Sequence, residues 1–161
     1  IAALCLELEF DNGKTLILSG DKDFIQLHKI RNVTQYSPIT KKFVNGEDPI
    51  QYLKEHILKG DSTDGIPNVL SPDHTFTDGI RQRPLGKKKI AKFLSEGFPS
   101  VEGKRNHQRN ETLIDLSKSP ADLYMKCLDT YREAPEGDRS KLLNYFIEKR
   151  LRDLTESIGD F

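Results

Sequence analysis

Several residue types are scarce in this chain of 161 residues, and each scarcity narrows the class of protein. There is no tryptophan, one methionine and only two cysteines, Cys5 and Cys127. The cysteines are far apart and each stands among apolar residues, which predicts buried, reduced thiols and excludes a disulfide-stabilised scaffold. We therefore expect a protein of a reducing, cytoplasmic environment.

Long apolar runs are also lacking. No segment approaches the roughly 20 apolar residues that a transmembrane helix requires, and no charged-then-apolar signal segment opens the chain. The first residues, 1–6 (IAALCL), lack an initiator methionine and have the composition of a buried helix. We therefore interpret the sequence as part of a longer protein without a membrane-spanning helix.

The chain has no excess of charge of either sign. It contains 25 basic and 25 acidic residues, so its total charge predicts neither a nucleic-acid-binding protein nor an enzyme for acidic substrates. Its 35% hydrophobic and 31% charged residues are typical of one domain with a small core and extended helical parts. Any functional signal must therefore come from local clusters.

The order of apolar and turn-forming segments predicts an α/β chain. The predicted elements are helices over residues 1–9, 48–58, 86–96 and most of 105–161, and strands over residues 14–18, 33–36 and 42–44. Because residues 14–18 are apolar without alternation, we expect an interior strand of a mostly parallel sheet. Asp48 caps and Pro49 opens one helix, and residues 70–84 lack periodicity, which predicts a surface loop.

Two acidic motifs give the clearest functional signal. Residues 19–24 (SGDKDF) directly follow the first predicted strand, and residues 60–64 (GDSTD) follow the helix that Pro49 opens. Each motif places a glycine before two nearby carboxylates. In open α/β sheets, ligands bind beyond the carboxyl ends of the strands, which is where the first motif is expected.

The carboxylates of these motifs form a candidate metal site that consists of Asp21, Asp23, Asp61 and Asp64. In extended backbone the first pair points to one side, and the second pair shares one side of a turn. Carboxylates brought together repel each other unless cations compensate, and Mg²⁺ or Mn²⁺ suits such oxygen ligands. Two ions roughly 4 Å apart activate water and stabilise the leaving oxygen of a phosphodiester.

A structural interpretation of the same residues stays open. Asp21 caps a helix that begins near Phe24, and Asp61 and Asp64 form turns or cap helices. The pattern Asp-x-Asp is common, and its metal-binding interpretation is a hypothesis that gains weight because a second motif is present.

A local basic segment follows the second motif. It contains two arginines in the loop, a glycine at a helix start and three lysines in the first turn: Arg81, Arg83, Gly86, Lys87, Lys88 and Lys89. N–H groups at a helix N-terminus bind phosphate, and nearby lysines attract a nucleic-acid backbone. The alternative is a solvated lysine face. Because cations in a first turn oppose the helix dipole, the segment is easier to explain if an anion binds there.

At both acidic motifs the sequence resembles the 5′ nuclease superfamily of flap endonucleases and 5′-to-3′ exonucleases. The superfamily pattern Ser-Gly-Asp-x-Asp matches residues 19–27, and Gly-Asp-x-x-Asp-x-Ile-Pro with a glycine-led basic helix matches residues 60–69 and the segment from Gly86. Residues 32–38 and 154–161 are similar to the ribonucleases H of T-even-type bacteriophages, a branch of this superfamily. The resemblance spans nearly the whole chain.

The resemblance implies an Mg²⁺-dependent or Mn²⁺-dependent nuclease with two ions in its complete site. It makes Asp21, Asp23 and Asp64 catalytic metal ligands, and it adds Asp61 to the same metal site, either behind the ligands or in contact with the ion through water. Further carboxylates are expected from an N-terminal half that precedes Ile1. The implied reaction is attack of water on a phosphodiester near a 5′ end.

The resemblance also implies domains and partners. Residues 1–58 correspond to the C-terminal portion of the nuclease α/β domain and residues 59–161 to a helical domain, in which residues 60–96 form a helix-turn-helix-like DNA-binding element. The implied substrates are flap or duplex DNA and RNA–DNA hybrids, and the implied role is removal of RNA primers or flaps in DNA replication. A phage-encoded member would act as a monomer in the host-cell cytoplasm, away from membranes, with a single-strand DNA-binding protein as partner.

Two other functions stay open on the sequence. One is a non-catalytic module for duplex DNA, in which the aspartates are caps and turns, and the other is a small-molecule Mg²⁺ enzyme, which would not need the basic segment. The histidines His28, His56, His74 and His107 lack metal-ligand spacing and are predicted to be surface or packing residues. The chain by itself is expected to bind DNA weakly and to cleave poorly, because the N-terminal carboxylates are absent from it.

Overall fold

The computed structural model describes residues 1–10, 13–46, 48–134, 137 and 139–161, with the backbone alone described at Phe10. The chain divides into two units, Ile1–Leu128 and Asp129–Phe161. The first unit combines helices with a small sheet, and the second consists of short helices. No helix in the described part of the chain is long and apolar enough to cross a membrane.

The observed elements follow the order expected from the sequence. The α-helices are α1 (Ala2–Phe10), α2 (Pro49–Lys59), α3 (Lys87–Glu96), α4 (Val101–Ile114), α5 (Ala121–Arg132), α6 (Leu142–Glu148) and α7 (Arg152–Glu156). The strands are β1 (Thr15–Leu18), β2 (Val33–Ser37) and β3 (Lys42–Phe43), and 3-10 helices cover Lys22–Lys29, Leu116–Lys118, Arg139–Lys141 and Ile158–Asp160. The Asp48 carboxylate caps α2 by accepting from the backbone N–H groups of Ile50 and Gln51, as predicted.

The sheet has three strands in the order β1-β2-β3. β1 and β2 are parallel, with Thr15 opposite Val33, whereas β2 and β3 are antiparallel. The expected mostly parallel sheet is therefore a small mixed sheet, because a connection as short as residues 38–41 permits only an antiparallel neighbour. Among the described strands β1 pairs on one side only, and its Leu16 and Leu18 are exposed.

The first apolar cluster joins α1, the sheet and the first 3-10 helix, and it contains Cys5, Ile17, Leu27, Ile30 and Val33. Burial of Cys5 confirms the prediction for that thiol. The same prediction is wrong for Cys127, which is exposed. Leu128 is the buried residue of α5, and consecutive helical side chains point in different directions, so Cys127 faces outward.

The last turn of α2 connects two further apolar clusters. Ile57 packs with Ile66 and Ile114, whereas Leu58 packs with Val69 and Ile90. Consecutive residues of a helix point about 100° apart, so α2 contacts α4 on one side and α3 on the other. This packing fixes the point at which α2 ends and the second acidic motif begins.

The loop between α2 and α3 is only partly a surface loop, because Ser71 and Thr75 are fully buried. The Ser71 hydroxyl donates to Asn68 Oδ1 at 3.0 Å and accepts from the Arg83 backbone N–H at 2.9 Å. Polar groups that satisfy one another in this way allow the segment to pack inward. Within residues 60–96 the described chain has one helix, α3, so the helix-turn-helix-like element stays a prediction.

Candidate metal centre

The first acidic motif lies directly after β1. Asp21 has extended backbone, and its carboxylate accepts a hydrogen bond at 2.9 Å from the backbone N–H of Asp23. Through this bond Asp21 caps the 3-10 helix that follows. Gln35 of β2 is buried and donates from Nε2 to the carbonyl oxygens of Ser19 and Asp21 at 2.8 and 2.7 Å. A buried amide therefore fixes the backbone from which Asp21 and Asp23 project.

The second acidic motif forms a tight turn directly after α2. Oδ1 of Asp61 accepts hydrogen bonds from the Thr63 backbone N–H at 2.8 Å, the Thr63 hydroxyl at 2.5 Å and the Asp64 backbone N–H at 3.3 Å. The bond from the Thr63 hydroxyl is the main cause that holds the pKa of the Asp61 carboxyl below its ordinary value. The capping and turn roles that the sequence left open for Asp21 and Asp61 are therefore present.

Gly60 permits the abrupt change of direction between α2 and this turn. Its φ is 68°, and a Cβ atom at this position would lie 2.4 Å from the Ile66 carbonyl oxygen and 2.7 Å from the Pro67 carbonyl group. Positive φ and the close approach of another backbone both require glycine. The returning chain at Ile66 and Pro67 thus passes directly over the end of α2.

Two side chains of α4 hold this returning chain. Asn110 is fully buried and donates from Nδ2 to the carbonyl oxygens of Ile57 and Pro67 at 2.8 and 3.0 Å. Arg109 donates from Nη2 to Pro67 O at 2.8 Å and pairs with Asp73 through Nη1. Both ends of the segment that carries the second motif are therefore anchored to one helix.

The fold brings Asp23 and Asp61 together around His56 of α2. His56 Nδ1 lies 3.5 Å from Asp23 Oδ1, and His56 Nε2 lies 3.3 Å from Asp61 Oδ2. One candidate ligand atom from each residue can be chosen so that all of them lie within 4.8 Å of one another. The side chains are 30%, 22% and 12% exposed for Asp23, Asp61 and His56. We call these three residues the acidic group.

Burial raises the pKa of the Asp23 carboxyl above its ordinary value, while the charge of His56 acts in the opposite direction. The negative charges of Asp21, Asp61 and Asp64 add to the rise. Asp21 and Asp64 are exposed and lie outside the acidic group, yet they act electrostatically on Asp23. A bound cation would relieve this accumulation of negative charge.

The predicted basic segment is largely exposed. α3 begins at Lys87 after Gly86, which makes no side-chain cap hydrogen bond, and the three first-turn lysines are exposed. Arg83 lies 3.9 Å from Glu102, and Lys89 donates to the Pro84 carbonyl oxygen at 3.4 Å. The segment therefore offers cationic groups to solvent beside a helix N-terminus, as the sequence predicts.

A cleft just before α3 is lined in part by Lys59, a basic residue outside the basic segment predicted from the sequence. It is lined by Lys59, Asn68, Arg81, Gln82, Arg83, Pro84 and Leu85. Lys59 is the last residue of α2 and pairs with Glu55 at 2.7 Å. The other lining residues come from the loop between α2 and α3, so the place of Lys59 in the cleft depends on tertiary packing that no local pattern around Lys59 indicates.

Comparison with known proteins decides the family. A family model described as T4 RNase H, C terminal, matches residues 48–161. The chain is also 33% identical to the protein named Ribonuclease H of Enterobacteria phage T4, in an alignment that covers 100% of this chain and 56% of that protein. The chain belongs to the T4 ribonuclease H family. The resemblance inferred from the two acidic motifs is therefore confirmed, and the chain spans little more than half the length of its T4 ribonuclease H relative.

The T4 ribonuclease H family is a family of metal-dependent nucleases, and the acidic group fits a divalent cation. Two carboxylates and an imidazole are common ligands of such ions. Nδ1 of His56 is in addition a buried nitrogen without a hydrogen-bond partner among the described residues. A polar atom that is buried in this way requires an explanation, and an ion supplies one.

Sequence reasoning did not include His56 among the site residues of this T4 ribonuclease H family member. The sequence did contain one local indication, namely the position of His56 four residues before Gly60 of the second motif. In the structure the Gly60 backbone N–H donates to the His56 carbonyl oxygen across the last turn of α2. A histidine one turn before a Gly-Asp motif lies near that motif by helical geometry. The approach of Asp23 from the other motif depends on tertiary packing of the 3-10 helix against α2.

Proposed function

We propose that the chain contributes the site of a metal-dependent 5′ nuclease that hydrolyses phosphodiesters in nucleic acid. The observation that carries this proposal is the meeting of Asp23 and Asp61, from two separate motifs, around His56 in a half-buried group. A cap or a turn needs one carboxylate and its own backbone. Two carboxylates that converge from different elements are better explained by a shared cation.

The proposed metal-binding residues are Asp21, Asp23, Asp61 and Asp64, of which Asp21, Asp23 and Asp64 are the proposed catalytic ligands. When bound, two Mg²⁺ or Mn²⁺ ions would supply an activated water and charge stabilisation at the leaving oxygen. The protein holds the ligands in place: Gln35 fixes the backbone at Asp21, and the turn at Asp61 restrains that carboxylate.

We assign substrate binding to the basic segment, namely Arg81, Arg83, Gly86, Lys87, Lys88 and Lys89, as part of a helix-turn-helix-like element. Exposed cations and a helix N-terminus attract phosphates without reading the base sequence. The relative named Ribonuclease H supports RNA–DNA hybrids as substrates, and we propose flap and duplex DNA ends beside them. The proposed role is removal of RNA primers or flaps in DNA replication, with a single-strand DNA-binding protein as partner.

A non-catalytic module for duplex DNA is the second candidate. It is favoured by one observation, namely that the carboxylates of Asp21 and Asp61 already accept hydrogen bonds from local backbone N–H groups. In that function, the basic segment binds DNA and the aspartates are structural.

The double substitution Asp21→Asn and Asp23→Asn in the natural full-length protein separates the two candidates. Asparagine retains the size of aspartate and removes the charge, so we expect Mg²⁺-dependent cleavage of a flap or RNA–DNA substrate to fall by roughly 100-fold or more, with DNA binding retained. Cleavage is followed with a 5′-labelled substrate and binding by fluorescence anisotropy.

Asp115→Asn is the matched control, because Asp115 caps the 3-10 helix Leu116–Lys118 through an equivalent 2.9 Å bond to the Ser117 backbone N–H. We expect it to leave cleavage unchanged. If the double variant also cleaves normally, Asp21 and Asp23 have no part in the chemistry and the binding module is the better explanation. The chain of 161 residues alone, tested in parallel, is expected to cleave weakly.

A further inference from the structure

The ring of His56 is held in a fixed position at the end of α2. The side chain is 12% exposed, and the ring of Tyr52 contacts it edge-on with 5.5 Å between the ring centroids. The neighbouring Ile57 and Leu58 are buried in two apolar clusters, so the backbone that carries the ring is anchored as well. The surroundings of each ring nitrogen are therefore fixed.

The two nitrogens of this ring differ in their surroundings. Nε2 lies within hydrogen-bond distance of Asp61 Oδ2, at 3.3 Å. Nδ1 is buried and makes no hydrogen bond to the described residues, although Asp23 Oδ1 is only 3.5 Å away. The Asp61 carboxylate oxygen can only accept, so Nε2 is the donor in that bond, and whenever the ring is neutral Nδ1 carries the lone pair.

This tautomer leaves the lone pair of Nδ1 opposite the carboxylate of Asp23. Two acceptors that face each other in a half-buried place repel unless a cation lies between them. Metal-binding histidines commonly have the same arrangement, in which one ring nitrogen donates to a carboxylate and the other binds the ion. The roles of the two aspartates then differ, since Asp61 orients the ring and Asp23 faces the ion.

We propose that Nδ1 of His56 is a nitrogen ligand of the divalent ion that Asp23 binds, with Asp61 orienting the ring, and that this nitrogen biases the site toward Mn²⁺ over Mg²⁺. The proposal rests on the metal-dependent nuclease function proposed above and adds one ligand to its metal site. Mg²⁺ requires hard oxygen ligands, whereas transition-metal ions accept imidazole nitrogen. The aspartates alone would form an all-oxygen site without this bias.

Manganese binding to the natural full-length protein tests the proposal. Pulsed electron paramagnetic resonance on Mn²⁺-loaded protein with ¹⁵N-labelled histidine detects a nitrogen bonded to the ion, and we expect this coupling in the unaltered chain. His56→Gln is expected to abolish the coupling and to weaken Mn²⁺ binding by roughly 10- to 100-fold. Mg²⁺ affinity, measured by competition, is expected to change by less than about 3-fold, because Mg²⁺ gains little from imidazole.

His107→Gln is the matched control, since His107 is a half-buried histidine whose ring lies against Phe98 with 5.0 Å between centroids. We expect it to retain the coupling and the affinity. Asp23→Asn tests the site itself and is expected to weaken the binding of both ions.

The outcomes separate this proposal from the proposed function. If Mn²⁺ binds without histidine coupling and Asp23→Asn weakens it, the nitrogen ligand is refuted while the carboxylate site stands. If Asp23→Asn leaves Mn²⁺ affinity unchanged, or the unaltered full-length protein binds no Mn²⁺, both proposals fail. Because the coupling is measured in the unaltered chain, misfolding of His56→Gln would not hide the answer.

Discussion

The acidic group and the basic segment carry opposite charges, and the fold supports them differently. His56, Asp23 and Asp61 are half-buried, and buried amides from β2 and α4 hold the backbone next to them. The first-turn lysines of α3 are exposed, and Arg83 makes only a 3.9 Å ion pair at the surface. The side chains of the acidic group are therefore held in fixed positions, whereas those of the basic segment present charge to solvent without such support.

This difference follows from the distances over which each region must act. An ion is held by ligand atoms at contact distance, so a displacement of about 1 Å weakens the site. Attraction to a phosphate backbone acts over about 10 Å at ordinary salt concentrations and tolerates side-chain movement. We therefore expect substitutions in the supports of the acidic group to affect stability and ion binding, and substitutions in the basic segment to affect salt-dependent binding alone.

The largest effect is expected for Gly60→Ala, which alters the support of the acidic group. The substitution combines positive φ with distances of 2.4 and 2.7 Å from the new Cβ atom to the backbone of Ile66 and Pro67. Strain and overpacking together should lower the free energy of unfolding by on the order of 2 to 6 kcal/mol, as measured by urea denaturation. Displacement of the turn should also weaken Mn²⁺ binding, because Asp61 in this turn lies 3.3 Å from Nε2 of His56 and orients its ring.

Gly97→Ala is the matched control, because Gly97 ends α3 with a φ of 76° and a Cβ atom added there would have no neighbouring atom within 4 Å. It isolates the cost of this positive-φ backbone, which is roughly 1 to 3 kcal/mol. Equal losses in the two variants would show that the close backbone approach at Gly60 contributes nothing.

Much of the support for the acidic group was predictable because it depends on local chemistry. Asp48 and Pro49 mark the start of α2 through the preferences of a cap and a first turn, and the glycine of residues 60–64 marks its end. The strand before Asp21 follows from its apolar run. These features depend on a few neighbouring residues, and sequence patterns record them.

The meeting of His56 with Asp23 was not predictable in the same way. It requires the 3-10 helix after β1 to pack beside α2, and that packing depends on buried side chains from both elements. The exposure of Cys127 was missed for a similar reason, because an apolar neighbourhood in sequence does not tell which face of α5 is covered. Tertiary packing decides both outcomes.

A smaller effect, of a different kind, is expected when the basic segment loses its charge. The triple substitution of Lys87, Lys88 and Lys89 by alanine should weaken duplex DNA binding roughly 10- to 100-fold at low salt and reduce the slope of log K against log salt by about 0.9 for each phosphate that the protein no longer neutralises. Stability should change little, because the side chains are exposed. Fluorescence anisotropy over a series of salt concentrations measures the slope.

The matched control replaces three exposed lysines from other elements, Lys54, Lys104 and Lys118, by alanine. It removes the same total charge, so an effect of net charge alone would appear equally in both triple variants. A normal salt slope in the first variant would remove the start of α3 from the DNA-binding surface.

The smallest effect is expected at Asp73. This residue is exposed like the basic segment, but it pairs with Arg109, which supports the second acidic motif. The hydrogen bond from Arg109, aided by the charge of Arg105, holds the pKa of the Asp73 carboxyl below its ordinary value. A lowered pKa in the folded state stabilises the protein above the unfolded value of about 3.9, and this contribution disappears as the pH falls through the lowered pKa. The side chain is 53% exposed, so solvent screening limits the contribution to at most about 1 kcal/mol.

Asp73→Asn therefore should lower the free energy of unfolding slightly at pH 7, and the difference from the unaltered chain should disappear in strong acid. Urea denaturation across the acidic range measures it, and added salt at pH 7 should shrink it, because exposed ion pairs are screened. A loss that persists in acid or resists salt would mean that Asp73 acts through the geometry of Arg109, which donates to Pro67 beside the second motif. Asp73 would then belong with the fixed supports of the acidic group rather than with the exposed charges.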